Sequence, residues 1–577
     1  MHAEPTLIIR GGTVVDGTGA EPFVADVAIA GGRIVQVGKV AAAMAEEIDA
    51  RGMLVTPGFV DVHTHYDAQA TWSSHLTPSS CNGVTTVLLG NCGVGFAPCE
   101  PHQRDMLVRL MEGVEDIPEV VLAAGLPWNW RSFPDYLDAL AARRFDLDVA
   151  TQVPHAALRV FVMGQRGADR EPATEPDRAR MAALAAEGIR AGALGFSTSR
   201  TLNHRTVDGQ PIPTLRAAES ELAAIARAVG ETGAGWLQVV ADFDEELEPE
   251  FAMLRRLVAQ SGRPMTMTVL ERDSRPNEWR QLLAHIAAAN ADGLAMTGQV
   301  RGRPTSLLLG FELSQHPFLP CPSWQEVAKL PFPAKLGALR QPELRARLLA
   351  EAPAKGGLAS RLRTWERIFA LGDPPNYEPA AEQSLAAEAQ RLGLPPAELA
   401  YDRLLAGDGR NILYRPLTNY AGGNLDTVRE MLAHPHTLLG LGDGGAHVGI
   451  ICDATDMTHA LTHWTRDRAA GGRFPVAWMV KRLTRDNARA IGLNDRGTIA
   501  PGGKADIHVI DYDRLRLRRP EVIYDLPGGG RRLMQRSDGY LATIVSGVPV
   551  YRDGAPTGRL PGRLVRGPRE TFDGRSN

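Results

Sequence analysis

Two histidines separated by one residue are the first feature of the sequence that could do chemistry. His63 and His65 flank Thr64 directly after a short apolar run that ends at Val62. In extended backbone, residues i and i+2 point to the same face, so both imidazoles can reach one divalent cation. Histidine is a favoured zinc ligand, and the spacing therefore indicates a metal site, although alone it also fits two structural histidines.

Short apolar runs that alternate with Ala-, Leu- and Arg-rich helical stretches must position such a site. This alternation predicts βα units and a parallel sheet. Eight repeats predict a closed, eight-stranded β/α (TIM-like) barrel, whose functional groups lie at the carboxyl ends of the strands. The predicted strands are Phe59–Val62, Val84–Leu89, Asp148–Val153, Ala193–Thr198, Trp236–Val240, Met265–Leu270, Gly293–Gly298 and Thr437–Gly442.

The two ends of the chain differ from its middle. Short apolar runs broken by Gly-Gly pairs predict β-structure in residues 1–57, and the same pattern returns in residues 491–577, which end in an Arg- and Gly-rich tail. The barrel then occupies residues 58–490. Residues 301–424 are too many for a connecting loop and contain helical pieces of their own, so we expect an insertion over the barrel mouth.

Composition excludes several classes of function. The 577 residues carry 63 Lys+Arg and 67 Asp+Glu, a net charge of −4 that gives no footprint for nucleic acid or an anionic membrane. The sequence shows neither a signal peptide nor a membrane span. Five cysteines are too few and too unevenly placed for a disulfide framework, so a cytoplasmic location is expected. The subunit count stays open, a homo-oligomer included.

Five short motifs give the chain a specific resemblance. They are Thr56–His65 (TPGFVDVHTH), Gly90–Gly93 (GNCG), Pro154–Arg159 (PHAALR), Gly192–Thr198 (GALGFST) and Gly442–Gly444 (GDG). Together they resemble the amidohydrolase superfamily, and in particular its N-acyl-D-amino-acid deacylase (D-aminoacylase) branch, from Ile8 to about Val550. The resemblance implies a metal-dependent barrel hydrolase flanked by a small β-sandwich built from both chain ends.

The resemblance also implies roles for two further residues. Cys92 follows the second strand and matches a zinc-ligating cysteine of the deacylase branch, although a free cysteine is often only a small buried hydrophobe. Asp443 follows the eighth strand and matches an aspartate that is both a metal ligand and a proton acceptor. This role is chemically reasonable because a cation acidifies the water it binds, and a nearby carboxylate can pass the proton to the leaving amine.

The chain departs from the branch at two other metal ligands. Where the branch has a histidine after the fifth strand this sequence has Gln238, and after the sixth strand it has Val269 or Leu270. An amide is a poor zinc ligand and an aliphatic side chain is none, so we expect no second metal of the family type. His63, His65, Asp443 and Cys92 remain, enough for one catalytic zinc ion. Glu271 could repair the site, but a solvated or salt-bridged role is more usual.

The residues that bind the substrate also depart from the pattern of the branch. The branch holds its substrate's α-carboxylate with a lysine and an arginine, and neither residue type stands at the matching positions here. Arg301 and Arg303, after the seventh strand, could replace them because a guanidinium fork suits a carboxylate. Without the usual lysine, the pocket is expected to favour a substrate less anionic than an amino acid.

Other residues at the predicted mouth complete the candidate site. His155 and His204 follow the third and fourth strands and are candidate catalytic groups, since a neutral imidazole can donate to an oxyanion or act as an acid. His447, four residues beyond Asp443, is a candidate for substrate binding. Tyr414 and Asn419 are further candidates because they precede the last barrel unit.

The sequence therefore predicts a metal-dependent hydrolase of a non-peptide amide bond in a small N-acyl compound, with Asp443 as proton shuttle. Hydrolysis of a lactone, ester or cyclic amide by the same site is an alternative, because metal-hydroxide attack tolerates many leaving groups. A metal-free structural relative that serves as an assembly subunit is another, although retention of His63, His65 and Asp443 argues against it.

Overall fold

Eight parallel strands form the centre of the protein in a computed structural model, which describes residues 4–41, 44–243, 247–351 and 361–572. The strands lie side by side in chain order, and this arrangement confirms the predicted TIM-like barrel. They are Phe59–Asp61, Val84–Leu89, Asp148–Pro154, Gly195–Arg200, Trp236–Ala241, Met265–Thr268, Met296–Val300 and Thr437–Leu439.

Burial explains why these strands could be predicted from the sequence. Every residue of the second strand, Val84–Leu89, and of the third, Asp148–Pro154, is buried. Parallel strands covered on both faces read as continuous rather than alternating apolar runs. The seventh strand begins at Met296, not at Gly293 as predicted, because Gly293 has a φ of 80° and belongs to the turn that ends the preceding helix.

A side-chain amide closes the seam between the first and eighth strands. Asn487 is fully buried, and its Nδ2 donates to the carbonyl oxygens of Val60 (2.8 Å) and Leu439 (2.6 Å). Just beyond the seam, the backbone N–H of Asp443 donates to the carbonyl of His63 at 3.0 Å. Two of the three chain segments that carry the predicted metal ligands are thus joined by their backbones.

Helices follow most of the barrel strands. The longest, Glu175–Ala191, begins with a capping box in which Thr174 and Asp177 bond each other's backbone, and it ends at Gly192 with a φ of 118°. No helix in the described part of the chain is long and apolar enough to cross a membrane. The helices associated with the barrel are Gln69–Trp72, Arg104–Glu115, Glu119–Gly125, Phe133–Ala141, His155–Met163, Gln165–Ala168, Glu175–Ala191, Glu219–Glu231, Leu247–Ser261, Glu278–Ala291, Asp426–Ala433, Asp456–Thr462, Val476–Lys481 and Asn487–Ala490, with π-helical turns at His463–Asp467 and Arg482–Asp486.

Strands from both ends of the chain pair in one nine-stranded sheet. Its central strand Leu54–Pro57 runs antiparallel to Ile507–Ile510, with Pro57 opposite Ile507. Because the first barrel strand begins at Phe59, this sheet directly anchors the strand that leads to the two histidines. The nine strands are Leu7–Val14, Phe23–Ala30, Arg33–Gly38, Glu46–Asp49, Leu54–Pro57, Ile507–Ile510, Tyr540–Val545, Val548–Arg552 and Ala555–Pro556.

The interval 301–424 has its own apolar core, in which Phe311, Trp324 and Tyr401 are buried together. Its antiparallel sheet pairs Leu413–Pro416 with Ser306–Leu309 on one side and Phe369–Ala370 on the other. Its described helices are Phe332–Leu339, Pro342–Ala350, Leu385–Leu392 and Pro396–Leu405.

Part of the carboxyl-terminal segment leaves the nine-stranded sheet. Residues Glu521–Leu526 and Gly530–Met534 form an antiparallel hairpin. The segments that flank it in the sequence, Arg516–Leu517 and Ser537–Asp538, pair with each other. The Leu533 N–H donates to the carbonyl of Val448 at 2.7 Å. The hairpin therefore packs against the loop after the eighth barrel strand. This contact was not predicted from the sequence.

Candidate active site

Three potential metal ligands converge at the carboxyl end of the barrel. The donor atoms of His63, His65 and Cys92 all lie within 4.8 Å of one another, and all three residues are buried. His63 Nε2 is 3.2 Å from Cys92 Sγ, and the two imidazole rings meet edge to face with centroids 5.3 Å apart. The structure thus brings together three of the four residues that the sequence analysis selected as ligands.

Asp443 lies beside this trio. Its Oδ1 is 3.6 Å from the Nε2 atoms of both His63 and His65, while its Oδ2 accepts a hydrogen bond from Arg301. Burial alone would raise the pKa of Asp443, but Arg301 and the two histidines outweigh it and hold the pKa well below its ordinary value. The aspartate is therefore ionised, with one oxygen directed at the histidines.

Backbone conformation at the site is unusual. Cys92 (φ 57°), Asp443 (φ 46°) and His447 (φ 53°) all occupy the left-handed region, which non-glycine residues seldom adopt. At Gly93 a Cβ atom would come within 2.9 Å of the Thr198 backbone, so only glycine lets the Cys92 turn approach the fourth strand this closely. Such conformations persist where surrounding structure over-determines them, and they concentrate at functional sites.

Burial sets the charge states of His63 and Cys92, whereas a neighbouring carboxylate decides that of His65. It lowers the pKa of His63 to about 4 and raises the pKa of Cys92 to about 11. A neutral imidazole is the form that binds a metal, whereas the thiol needs a bound cation to lose its proton. Burial also lowers the pKa of His65, but Glu115 outweighs it and the pKa lies well above its ordinary value.

The donor set fits a metal ion. Two imidazole nitrogens and one sulfur are a zinc-type combination, and the carboxylate of Asp443 is a fourth group of suitable chemistry. The buried Nδ1 of His65 lacks a well-directed hydrogen bond, and so does the Oε1 of Glu115 that faces it at 3.3 Å. His63, His65 and Cys92 are therefore the residues that would hold the ion.

The positions of the two missing family histidines carry no ligand. Gln238 lies in the fifth strand, 1% exposed, and its Oε1 accepts the backbone N–H of Cys92 at 3.0 Å. At the sixth-strand position, Val269 is fully buried in the apolar core, and the alternative residue, Leu270, is also aliphatic. Among the residues that the structure describes, no second group of His, Cys, Asp or Glu has the arrangement of the first trio.

Two predicted mouth histidines stand near the cluster. His204 bonds the Ser199 hydroxyl at 2.9 Å, and a Cβ atom on Gly93, the residue after Cys92, would lie 3.1 Å from the Ser199 backbone nitrogen. Burial, aided by the neighbouring histidines, lowers the pKa of His204 to about 3, so it is neutral. His447 Nε2 lies 3.8 Å from Glu115 Oε2.

The two arginines predicted to bind a substrate carboxylate already have partners. Arg301, 3% exposed, pairs with Asp443 and Asp453 at once. Arg303 is buried, bonds Asp453 and stacks 4.1 Å above the ring of Tyr377. Both guanidinium groups therefore bind carboxylates of the loop after the eighth strand, although Nη1 of Arg303 has no hydrogen-bond partner among the described residues.

Three other predicted residues make hydrogen bonds to groups outside the trio. His155 is fully buried between Thr198 and Glu221, each 2.8 Å from one of its ring nitrogens. The Tyr414 hydroxyl donates to the carbonyl of Tyr377 at 3.1 Å. Asn419 exchanges hydrogen bonds with the backbone of Glu271, at 2.8 Å each way. These contacts favour structural roles.

The network around His155 predicts a pH dependence of stability. Burial alone would raise the pKa of Glu221, but His155 and Arg159 outweigh it and lower the pKa to about 2. Because this lies below the unfolded value near 4.5, the stabilisation is complete above about pH 4.5 and is lost as the pH falls towards 2. We expect Glu221→Gln to remove on the order of 3 kcal/mol of stability at pH 6 and less at pH 3. Urea denaturation midpoints across this range test it, and a difference that is constant with pH would contradict the assignment.

Two residues that contact the histidines were missed in the sequence. Glu115 ends the helix Arg104–Glu115, and Gln299 lies in the seventh strand, where its Oε1 is 2.6 Å from His63 Nδ1. The contact between Gln299 and His63 spans 236 residues of chain. No local spacing signals such a pair; the only available hint was that Gln299 lies at the end of a predicted barrel strand.

Comparison with known proteins supports the same interpretation. The amidohydrolase family matches this chain over residues 46–551. D-aminoacylase of Alcaligenes xylosoxydans xylosoxydans is 26% identical over 97% of both chains, and N-acyl-D-aspartate deacylase of that organism is 28% identical over 98% of this chain and 95% of its own. A crystal structure of N-acyl-D-glutamate deacylase from Bordetella bronchiseptica, complexed with zinc and a phosphonate inhibitor, is 24% identical and aligns with a TM-score of 0.64 over 98% of this chain and 100% of its own. The resemblance inferred from the sequence is thus confirmed: the chain is similar to the D-aminoacylase branch, and it belongs to the amidohydrolase family.

Proposed function

We propose that this amidohydrolase uses one zinc ion to cleave the amide C–N bond of a small N-acyl compound. The observation that carries the proposal is the convergence of His63, His65 and Cys92 beside Asp443 at the carboxyl ends of the barrel strands. Active sites of β/α barrels lie at this face. Gln238, and Val269 or Leu270, in place of the family's other histidines, support a single ion.

The chain's own residues divide the work of hydrolysis. A divalent ion held by the trio supplies Lewis acidity, which polarises a carbonyl group and acidifies water. Asp443 Oδ2 is held by Arg301, so Oδ1 is the atom left to take a proton from the attacking water and return it to the leaving amine. His204, which is neutral and bonds Ser199, would donate a hydrogen bond to the developing oxyanion.

Pairing of the arginines supports a substrate less anionic than an N-acyl amino acid. A free guanidinium would attract a substrate carboxylate, but Arg301 already holds two carboxylates and Arg303 is enclosed. Two of the named relatives act on N-acyl-D-aspartate and N-acyl-D-glutamate, which carry two carboxylates each. We propose the cytoplasm as the compartment, since all five cysteines are unpaired.

A panel of matched substrates tests this function. Zinc-supplemented protein would be assayed for amine release from N-acetyl-D-amino acids, their L-enantiomers and the corresponding carboxamides, which differ only in charge. We expect turnover of N-acyl compounds, with a higher kcat/KM for each carboxamide than for its acid. Hydrolysis of lactones or cyclic imides alone would contradict the bond assignment. A folded protein that binds no metal would contradict the enzyme reading and favour an assembly subunit.

A further inference from the structure

The two histidines of the trio each have an acceptor behind the ring. His63 Nδ1 lies 2.6 Å from Gln299 Oε1, and His65 Nδ1 lies 3.3 Å from Glu115 Oε1. In each ring it is therefore Nε2 that faces the other donor groups, towards Cys92 or Asp443. Both rings thus direct Nε2 towards the other donor groups. The acceptors at Nδ1 that face the two rings come from separate elements, a barrel strand and a helix end.

This arrangement decides the tautomer of each imidazole. An acceptor at Nδ1 places the proton there and leaves the Nε2 lone pair free for a metal ion. The Gln299 side chain satisfies this only with its oxygen towards His63. Nothing else in the described structure gives a well-directed hydrogen bond to His65 Nδ1 or to Glu115 Oε1, and both atoms are buried, so each is the other's natural partner.

Glu115 also connects the metal trio to the mouth. Its Oε2 lies 3.8 Å from Nε2 of His447, and its backbone carbonyl accepts the N–H of the same residue. The carboxylate is buried at 1% exposure between the two histidines. It thereby ties the turn that follows Asp443 to the first barrel strand's metal ligands.

We propose that Gln299 and Glu115 are positioning residues which orient His63 and His65 through Nδ1 and so set the affinity of the trio for a divalent cation. This inference rests on the metal site of the proposed function, but not on any particular substrate. Acceptors of this kind commonly change metal affinity by about 10- to 100-fold when they are removed.

The experiment measures metal binding without substrate. Zinc affinity of the full chain would be determined by competition with a chromophoric chelator, and the visible spectrum of the cobalt-substituted protein would report ligand geometry. We expect Gln299→Leu and Glu115→Leu each to weaken zinc binding by about 10- to 100-fold and to alter the cobalt spectrum. Gln299→Glu and Glu115→Gln retain an acceptor oxygen and should restore most of the affinity, a rescue that a merely structural role would not produce.

Glu112→Gln is the matched control, because Glu112 lies on the same helix and its carboxylate accepts the backbone N–H of Glu119 instead. Wild-type affinity and spectrum in both leucine variants would overturn the proposal. If a leucine variant fails to fold, its conservative counterpart becomes the test. A loss of zinc affinity there as large as that expected for the leucine variant overturns the proposal as well. If the zinc affinities of the variants follow this order but no substrate of the panel is hydrolysed, only the proposed function is rejected.

Discussion

Replacing Asp443 by asparagine is expected to reduce turnover by about 10²- to 10⁴-fold, while the protein stays folded. The amide cannot accept a proton at neutral pH, and its NH₂ group would face either Arg301 or the two histidine Nε2 atoms, which the carboxylate now approaches at 3.6 Å. The measurement is kcat on whichever panel substrate is hydrolysed, together with the thermal midpoint. Turnover near that of the wild type would contradict the proton-shuttle role.

Asp453→Asn is the matched control for this substitution. Asp453 binds the same Arg301 through the other guanidinium nitrogen. The variant therefore removes one negative charge beside Arg301, as Asp443→Asn does, but leaves Asp443 in place. We expect it to lower the thermal midpoint with a much smaller change in kcat. Comparable kcat losses in both variants would show that the charge of Arg301, and not the proton acceptor, limits the reaction.

Removal of the metal ligands should have the largest effect of all. We expect the double variant His63→Ala, His65→Ala to lose tightly bound zinc and to reduce turnover by at least about 10³-fold, because a Lewis acid supplies several kcal/mol of transition-state stabilisation. A chelator should reduce the activity of the wild type in the same way, and added zinc should restore it. Metal content and turnover are to be measured on the same preparation.

The chain contains a second His-x-His pair that serves as control. His434 and His436 have the same spacing, with ring centroids 5.7 Å apart, but they lie before the eighth strand, at the opposite end of the barrel. His434→Ala, His436→Ala should retain zinc and turnover. Zinc should also raise the stability of the wild type, by about 4 kcal/mol when free zinc is 1,000 times its Kd, and should not stabilise the His63, His65 variant.

The sequence predicted the barrel well because burial leaves a local signature. Most barrel strands are short and almost entirely buried, and the His-x-His pair could be placed because extended backbone repeats every two residues. The run Val84–Leu89 was predicted with the bounds that the structure gives it. The errors lie at strand ends, as at Gly293, where a positive φ rather than side-chain polarity ends the element.

Partners of long side chains could not be predicted in the same way. Arg301 was assigned to substrate because an arginine at a barrel mouth fits a carboxylate, but Asp453, which holds it, lies 152 residues further along the chain. Glu115 ends a helix whose sequence reads as an ordinary amphipathic one. Such residues acquire their function only through tertiary contacts, which leave no periodicity in the sequence.

The pairing of Leu54–Pro57 with Ile507–Ile510 has a consequence for biosynthesis. The strand that leads to His63 leaves the ribosome about 450 residues before the strand that supports it, so the first barrel unit cannot reach its final place early in translation. The hairpin that packs beside the loop after Asp443 emerges still later. Nascent chains that stop before residue 507 should therefore be inactive, with their future metal ligands exposed to the cell's chaperones.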